Sequence, residues 1–387
     1  MRLGVAISAA VLLSVPSSQA MAQVKETTLT RPTASYQEPF SSIRGFRALP
    51  DGKVLVSDGI EQTLQRIDLA AGRAETLGRS GAGPGEYRDP DLLLAVEDGR
   101  TILMDLGNGR LTLFDPAGRA LDSYSMARGS PGQGTFTLVV PSASDARGRL
   151  YFRGTEGPGG ERSDSGAILR YDRSSEAIDT VARFRLMEVE VSTSGSANNR
   201  SISMRARPYT PEDGWTVAPD GAVVIARAAE YRVEWILPGG RRVRGNVVST
   251  RPVPVRDAEK DEFMAQAASG LSMMVMNDNG RMDVRFSRGG RSRRSGTPQA
   301  SDYQWPDTKP PITGGVWVST AGDAWVERSV PAGAARVYDV FGRDGAVKQR
   351  VTLPQGRRLL GFAPGAVFTR YTDEDGLEYL ERYSLDG

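Results

Sequence analysis

The sequence predicts an all-β fold, a six-bladed β-propeller with four-stranded blades, and three observations carry that expectation. Short strand-like runs alternate with Asp-Gly and glycine-rich turns along most of the chain. Equivalent turns at Asp51-Gly52, at Asp98-Gly99 and at Asp145 with Gly148 stand 47 residues apart, the length of one four-stranded blade. Six such units can be counted, the last of them one strand short.

The elements follow in chain order. Met1-Arg2, an apolar stretch over residues 3–15, Pro16 and Ala20-Met21-Ala22 read as a signal peptide (residues 1–22) cleaved after Ala22. That stretch is too short to span a bilayer and no cysteine follows it to take a lipid, so the mature chain is expected without a transmembrane anchor, periplasmic or secreted. Residues 23–387 are expected to form a single propeller domain. Within it, residues 24–30 are expected to supply the outer strand that the sixth unit lacks, so that the closed ring exposes no unpaired edge there. The second unit opens on Gly81-Ala82-Gly83-Pro84-Gly85-Glu86-Tyr87 and runs through strand-like residues 92–96, 101–104 and 110–114. A fourth unit is centred on Asp220-Gly221 and a fifth on Gly322-Asp323 and Asp344-Gly345. The sixth has three strands, at 359–363, 366–370 and 377–385.

Two connectors break the period, at about 186–214 and 249–314. Both run from an outer strand to the next inner strand, and so belong to one face. In the second, Asp257 is expected to cap a short helix with Glu259, Asp261 and Glu262 in its first turns and Phe263, Met264, Ala267, Ala268 and Leu271 along one side. Tyr303 and Trp305 follow as adaptable contact area, or as simple cover for the propeller top. The run from 280 to 295 carries Arg281, Arg285, Arg288, Arg291, Arg293 and Arg294 among Gly and Ser. Its composition suggests a solvated, irregular loop, and its charge an anion-binding one.

Composition bounds the chemistry. With 44 Gly, 23 Pro and 39% hydrophobic residues in 387, the chain can bury a large core, and a formal charge of +2 implies no particular partner. Zero Cys means no disulfides, and zero His removes the common general base, the Ser-His-Asp and Cys-His arrangements and every His-ligated metal site.

The phrase G-x-G-P-G-E-Y-x-x-P, then D-G, D-x-x-N and R-L-x-x-F-D-x-x-G, over residues 81–118, resembles the NHL repeat. Pro252-Val253-Pro254-Val255, Glu259-Lys260, Trp305-Pro306, Pro310-Pro311-Ile312 and Trp325-Val326 resemble an exported bacterial set of six-bladed propellers of unassigned function. Both resemblances imply the fold and leave the ligand open, because propellers host many unrelated activities.

Six residues at the ends of second strands, Asp58, Asp105, Arg153, Arg227, Arg328 and Arg370, are expected around the tunnel mouth on the connector face, as a ring of mixed charge suited to a polar ligand. The competing reading of the aspartates is that they tie down the following loop through backbone hydrogen bonds. Gluconolactonase-like propellers hold a divalent metal through carboxylates and amides at the tunnel centre. The corresponding inner strands here, at 44–49, 92–96, 138–141, 215–218, 316–319 and 359–363, carry no Asp, Glu or Asn. Asp89, Asp91 and Glu97 offer too few oxygens for a calcium cage. The expectation is therefore a non-catalytic binding or scaffolding module with no cofactor, no metal site and no catalytic residue. Its partner would be an extracytoplasmic protein, polysaccharide or other polar ligand rather than nucleic acid. The alternative is a metal-dependent lactonase-type hydrolase.

Overall fold

The computed structural model describes residues 24–128, 137–154, 164–196, 199–268, 271–278, 281–288 and 299–385. The expected signal peptide and Arg291, Arg293 and Arg294 lie outside the described residues.

Six four-stranded antiparallel blades follow one another around a ring. Their inner strands are Ile43–Ala48, Pro90–Ala95, Pro141–Ser144, Gly214–Val217, Ile312–Val318 and Arg357–Ala363. Second strands such as Val54–Asp58 and Thr101–Asp105 are buried along their whole length, because both faces of a blade are covered by its neighbours. Their near-continuous apolar sequences reflect this. Outer strands such as Arg73–Thr76 are exposed throughout and correspondingly polar.

The core is divided into six clusters, and each sits between two blades. Leu55, Leu64, Leu93 and Leu103 join blades 1 and 2. Ile102, Leu111, Leu150 and Phe152 join blades 2 and 3. Tyr151, Ile168, Val223 and Ile225 join blades 3 and 4, and Val224, Trp235, Val326 and Phe341 join blades 4 and 5. Trp325, Tyr338, Val367 and Tyr383 join blades 5 and 6, and Val54, Ile67, Phe368 and Leu380 join blade 6 back to blade 1. Six such interfaces close the circle.

Closure corrects one expectation. The strand Lys25–Thr28 does not complete blade 6; it pairs in parallel with Val347–Thr352 as a fifth strand on blade 5. The outer position of blade 6 is filled by Ala34–Ser35, antiparallel to Glu378–Ser384, and extended by Tyr36 N–H to Leu380 O (2.9 Å) and the bridge of Phe40 with Glu378. Residues 24–30 form a strand as their pattern suggests, but the closing pair is only two residues long and follows Pro32, so it carries almost no strand signal. Leu29 seals blades 5 and 6, while Tyr36 and Phe40 seal blades 6 and 1.

Each long connector extrudes a two-stranded antiparallel ribbon. Val189–Ser196 pairs with Asn199–Ala206 in the first, and Leu271–Asp278 with Arg281–Arg288 in the second. The irregular loop expected from 280 is therefore a strand over its first half. Met282, Val284 and Phe286 alternate there with charged and polar residues, a two-residue period obscured by the arginine content. By this register Arg281 and Arg285 share one face of the ribbon and Arg288 lies on the other. Among the described residues no helix is long and apolar enough to cross a membrane.

Candidate functional site in the connector face

The second connector contains the helix α1 (Asp257–Ala268). Arg256, not Asp257, is the capping position: Lys260 N–H donates to Arg256 O (3.1 Å), and the Glu259 carboxylate reaches back to accept from Arg256 N–H (3.0 Å). Asp257 is the first helical residue and pairs with Lys260 Nζ at 2.9 Å. The inward side of α1 is not simply apolar. Glu259 is buried, Glu262 and Phe263 are half-buried, and Ala267 is exposed.

Glu259 docks the helix on blade 5 by accepting Ala332 N–H at 2.9 Å. Burial alone would raise its carboxyl, but the Ala332 and Arg256 N–H groups outweigh burial and hold it below the ordinary range. Tyr209, from the first connector, donates its hydroxyl to Glu259 O, which joins the two connectors. Tyr209 adopts a φ of 50°, a left-handed conformation a bulky residue holds only when its surroundings impose it. Burial, then Glu262 and Glu259, raise the Tyr209 hydroxyl and keep it a neutral donor.

Phe263 is the centre of an aromatic group, with ring centroids 5.6 Å from Tyr209, 5.6 Å from Tyr303 and 5.5 Å from Trp305. Trp305 Nε1 donates to Ala300 O at 2.7 Å. Tyr303 and Trp305 are thus packed behind Phe263, and Phe263 itself faces the opening below.

That opening is a cavity of about 360 Å³. The first connector gives it Met187, Tyr209, Thr210 and Glu212; α1 gives Glu262, Phe263 and Gln266. Blade 5 and its approach supply Lys309, Gly315, Glu327 and Arg336, and blade 6 supplies Arg358. The space has a local cause. In the inner strand of blade 5 the register jumps by two residues between Ile312 and Val316, where blades 1, 2, 3 and 6 insert one. Blade 4 approaches closely there: a Cβ on Gly214 would collide with the Gly314 carbonyl.

Most charges in the cavity are matched. Lys309 Nζ lies 2.8 Å from Glu262 and 3.1 Å from Val330 O, with the Tyr209 ring 5.2 Å away. Arg336 pairs with Glu327 at 2.5 Å and reaches Glu262 at 3.8 Å. Glu212 has Arg153 at 3.9 Å, and burial pushes its carboxyl up against the opposing pull of Arg153. Arg358 makes no hydrogen bond or ion pair among the described residues. Arg358 is exposed at the cavity wall; partial desolvation first, then Arg336 and Arg370, push its guanidinium down, while Glu327 and Glu262 pull the other way.

The six residues expected around the tunnel mouth are engaged mainly with the scaffold. Asp58 is buried and accepts from Ser41 N–H (2.7 Å), Ser42 N–H (3.1 Å), Ile60 N–H (2.9 Å) and Glu61 N–H (3.0 Å). Asp105 is buried and accepts from the N–H groups of Arg88 and Asp89, both at 3.1 Å, and from Asn108 Nδ2 at 2.6 Å. Both tie down loops. Arg227 bridges Asp213 and Glu234, each at 2.8 Å; Arg328 lies 3.7 Å from Asp339; Arg370 pairs with Glu378 at 3.0 Å. Only Arg153, through Glu212, touches the cavity. The residues the sequence reading missed are Tyr209, Glu212, Lys309, Glu327, Arg336 and Arg358. The one usable signal was Arg357-Arg358 at the start of an inner strand.

No protein-family model matches the chain, and no curated protein matches it either. Solved structures similar to it include the calcium-binding protein regucalcin from Agrobacterium tumefaciens, at 13% identity over 94% of this chain and 97% of that one, with a TM-score of 0.39. Virginiamycin B lyase from Staphylococcus aureus is similar at 12% identity over 92% and 88% of the two chains, TM-score 0.34. A member of the DUF4221 family from Bacteroides vulgatus is similar at 9% identity over 92% and 94%, TM-score 0.45. The chain is a six-bladed β-propeller on its own strand pairing, independently of these likenesses.

Proposed function

We propose that this chain is an exported, non-catalytic propeller that captures a polar ligand on its connector face, in the cavity beneath α1. The observation that carries this reading is the cavity's construction: both insertions meet there, its acidic and basic groups are mostly paired, and the Arg358 guanidinium has no hydrogen-bond or ion-pair partner among the described residues. Its volume lies within the range of small-molecule sites, about 300–1,000 Å³. Export rests on the sequence of residues 1–22.

The test uses the secreted protein purified from its host. Small molecules carried by the parent are identified by mass spectrometry and compared with those carried by Gln266→Trp, which fills the cavity mouth from an exposed helical position. The expected result is a compound retained by the parent and lost from the variant. Equal retention by both, or turnover of lactones by the parent, overturns the reading.

A further inference from the structure

Two arginines open the inner strand of blade 6. Arg357 is engaged: its guanidinium lies 3.0 Å from Glu381 and 4.0 Å from the centre of the Tyr371 ring. Arg358, on the opposite face of the same strand, lines the cavity and has no such partner among the described residues. Its cross-strand neighbour is Arg370. A planar fork of donors thus stands exposed at a cavity wall, with Arg336 and Arg370 but also Glu327 and Glu262 near it, and no acceptor within hydrogen-bond reach among the described residues.

From this geometry we infer that the cavity recognises a small hydroxylated monocarboxylate, such as a uronic acid, with Arg358 taking the carboxylate. The inference deepens the binding function proposed above and rests on it. A carboxylate presents two coplanar oxygens that match a guanidinium in two parallel hydrogen bonds. Single charge is favoured because Glu212, Glu262 and Glu327 line the same cavity; a phosphate dianion would meet the same one free cation and about twice the repulsion. Glu212 and Thr210 stand at the cavity wall as partners for hydroxyls, and the Phe263 ring offers a face for the ligand body. A free sugar acid and the end unit of an acidic polysaccharide share this chemistry.

Calorimetric titration with galacturonate, galactose, galactose 6-phosphate and tetragalacturonate tests it. Galacturonate should bind, with galactose and galactose 6-phosphate each weaker by about tenfold or more, the scale of one charge-assisted hydrogen bond. Arg358→Gln should lose about the same factor for galacturonate while its melting temperature stays at or above the parent's, and Arg358→Lys should fall between the two. Tighter binding of tetragalacturonate identifies a polymer end as the source; equal or weaker binding identifies the free acid. The inference is overturned if galacturonate does not bind, if Arg358→Gln binds it as the parent does, or if the phosphate is preferred. Should Gln266→Trp still lose the host compound in that event, the cavity remains the binding site and only the ligand class falls.

Discussion

The loop beside Asp58 and the wall around Arg358 are built from the same kinds of residue at the same end of the propeller, yet they differ in saturation. Every N–H that Asp58 and Asp105 accept belongs to a loop that would otherwise leave it unpaired, so these carboxylates complete the scaffold. Arg358 completes nothing within the described chain. A charged residue at a tunnel mouth therefore says little until its partners are counted. Those with full complements hold the ring together, and the one without points to the ligand.

Three experiments would break or sharpen this contrast. The largest effect is expected from the N-terminal closure, which is scaffold throughout. A chain starting at residue 38 loses Ala34–Ser35 and Tyr36 and leaves the edge of blade 6 open, and should lose cooperative thermal unfolding. A chain starting at residue 31 keeps that pair, loses Lys25–Thr28 and Leu29, and should melt cooperatively about 3 °C lower, in line with about 2 kcal/mol for one buried leucine. Equal melting of the two truncations would place the closure elsewhere.

Next in size is Asp105→Ala. It strands three backbone donors and the nearby Arg110, and should cost about 3 kcal/mol or more in urea unfolding. The folded fraction should bind ligand as the parent does. Loss of affinity without loss of stability would make Asp105 part of the site.

The smallest effect concerns Glu212. Its folded carboxyl is raised by burial, so the native state holds this proton to higher pH than the unfolded chain does. Stability is therefore lost as pH rises from the ordinary carboxylate range through the raised value, and the loss is complete above it. Glu212→Gln cannot titrate. Its melting temperature relative to the parent should be higher at pH 7 than at pH 4, and the reverse trend would show Glu212 to be a stabilising ion-pair partner like Asp213.

How much of this was legible in the sequence follows from where each signal lies. The blades were legible because each turn places Gly at a positive φ, as at Gly52, Gly221 and Gly345, and a repeated backbone demand leaves a repeated residue. The closing strand was not, because two residues after a proline show no alternation. The cavity was least legible. Its charges come from positions 212, 262, 309, 327, 336 and 358, which only ring closure and the docking of α1 bring together. No local pattern marks them. The inward carboxylates of α1 likewise look like a solvated helical face until the basic surface beneath, at Lys309 and Arg336, is known.

The seam between Thr33 and Arg382 has a consequence for the history of each molecule. Thr33 N–H and hydroxyl both meet Arg382 O, across 349 positions of chain. A segment made among the first must wait, unpaired, until almost the last blade exists. Contacts so remote in sequence are slow to form. A chain interrupted anywhere before residue 378 has at most five complete blades and no way to shut. Closure is thus read out by the fold itself: only a chain that has reached Glu378–Ser384 can hide this edge, and one stopped short of it displays the edge to proteases.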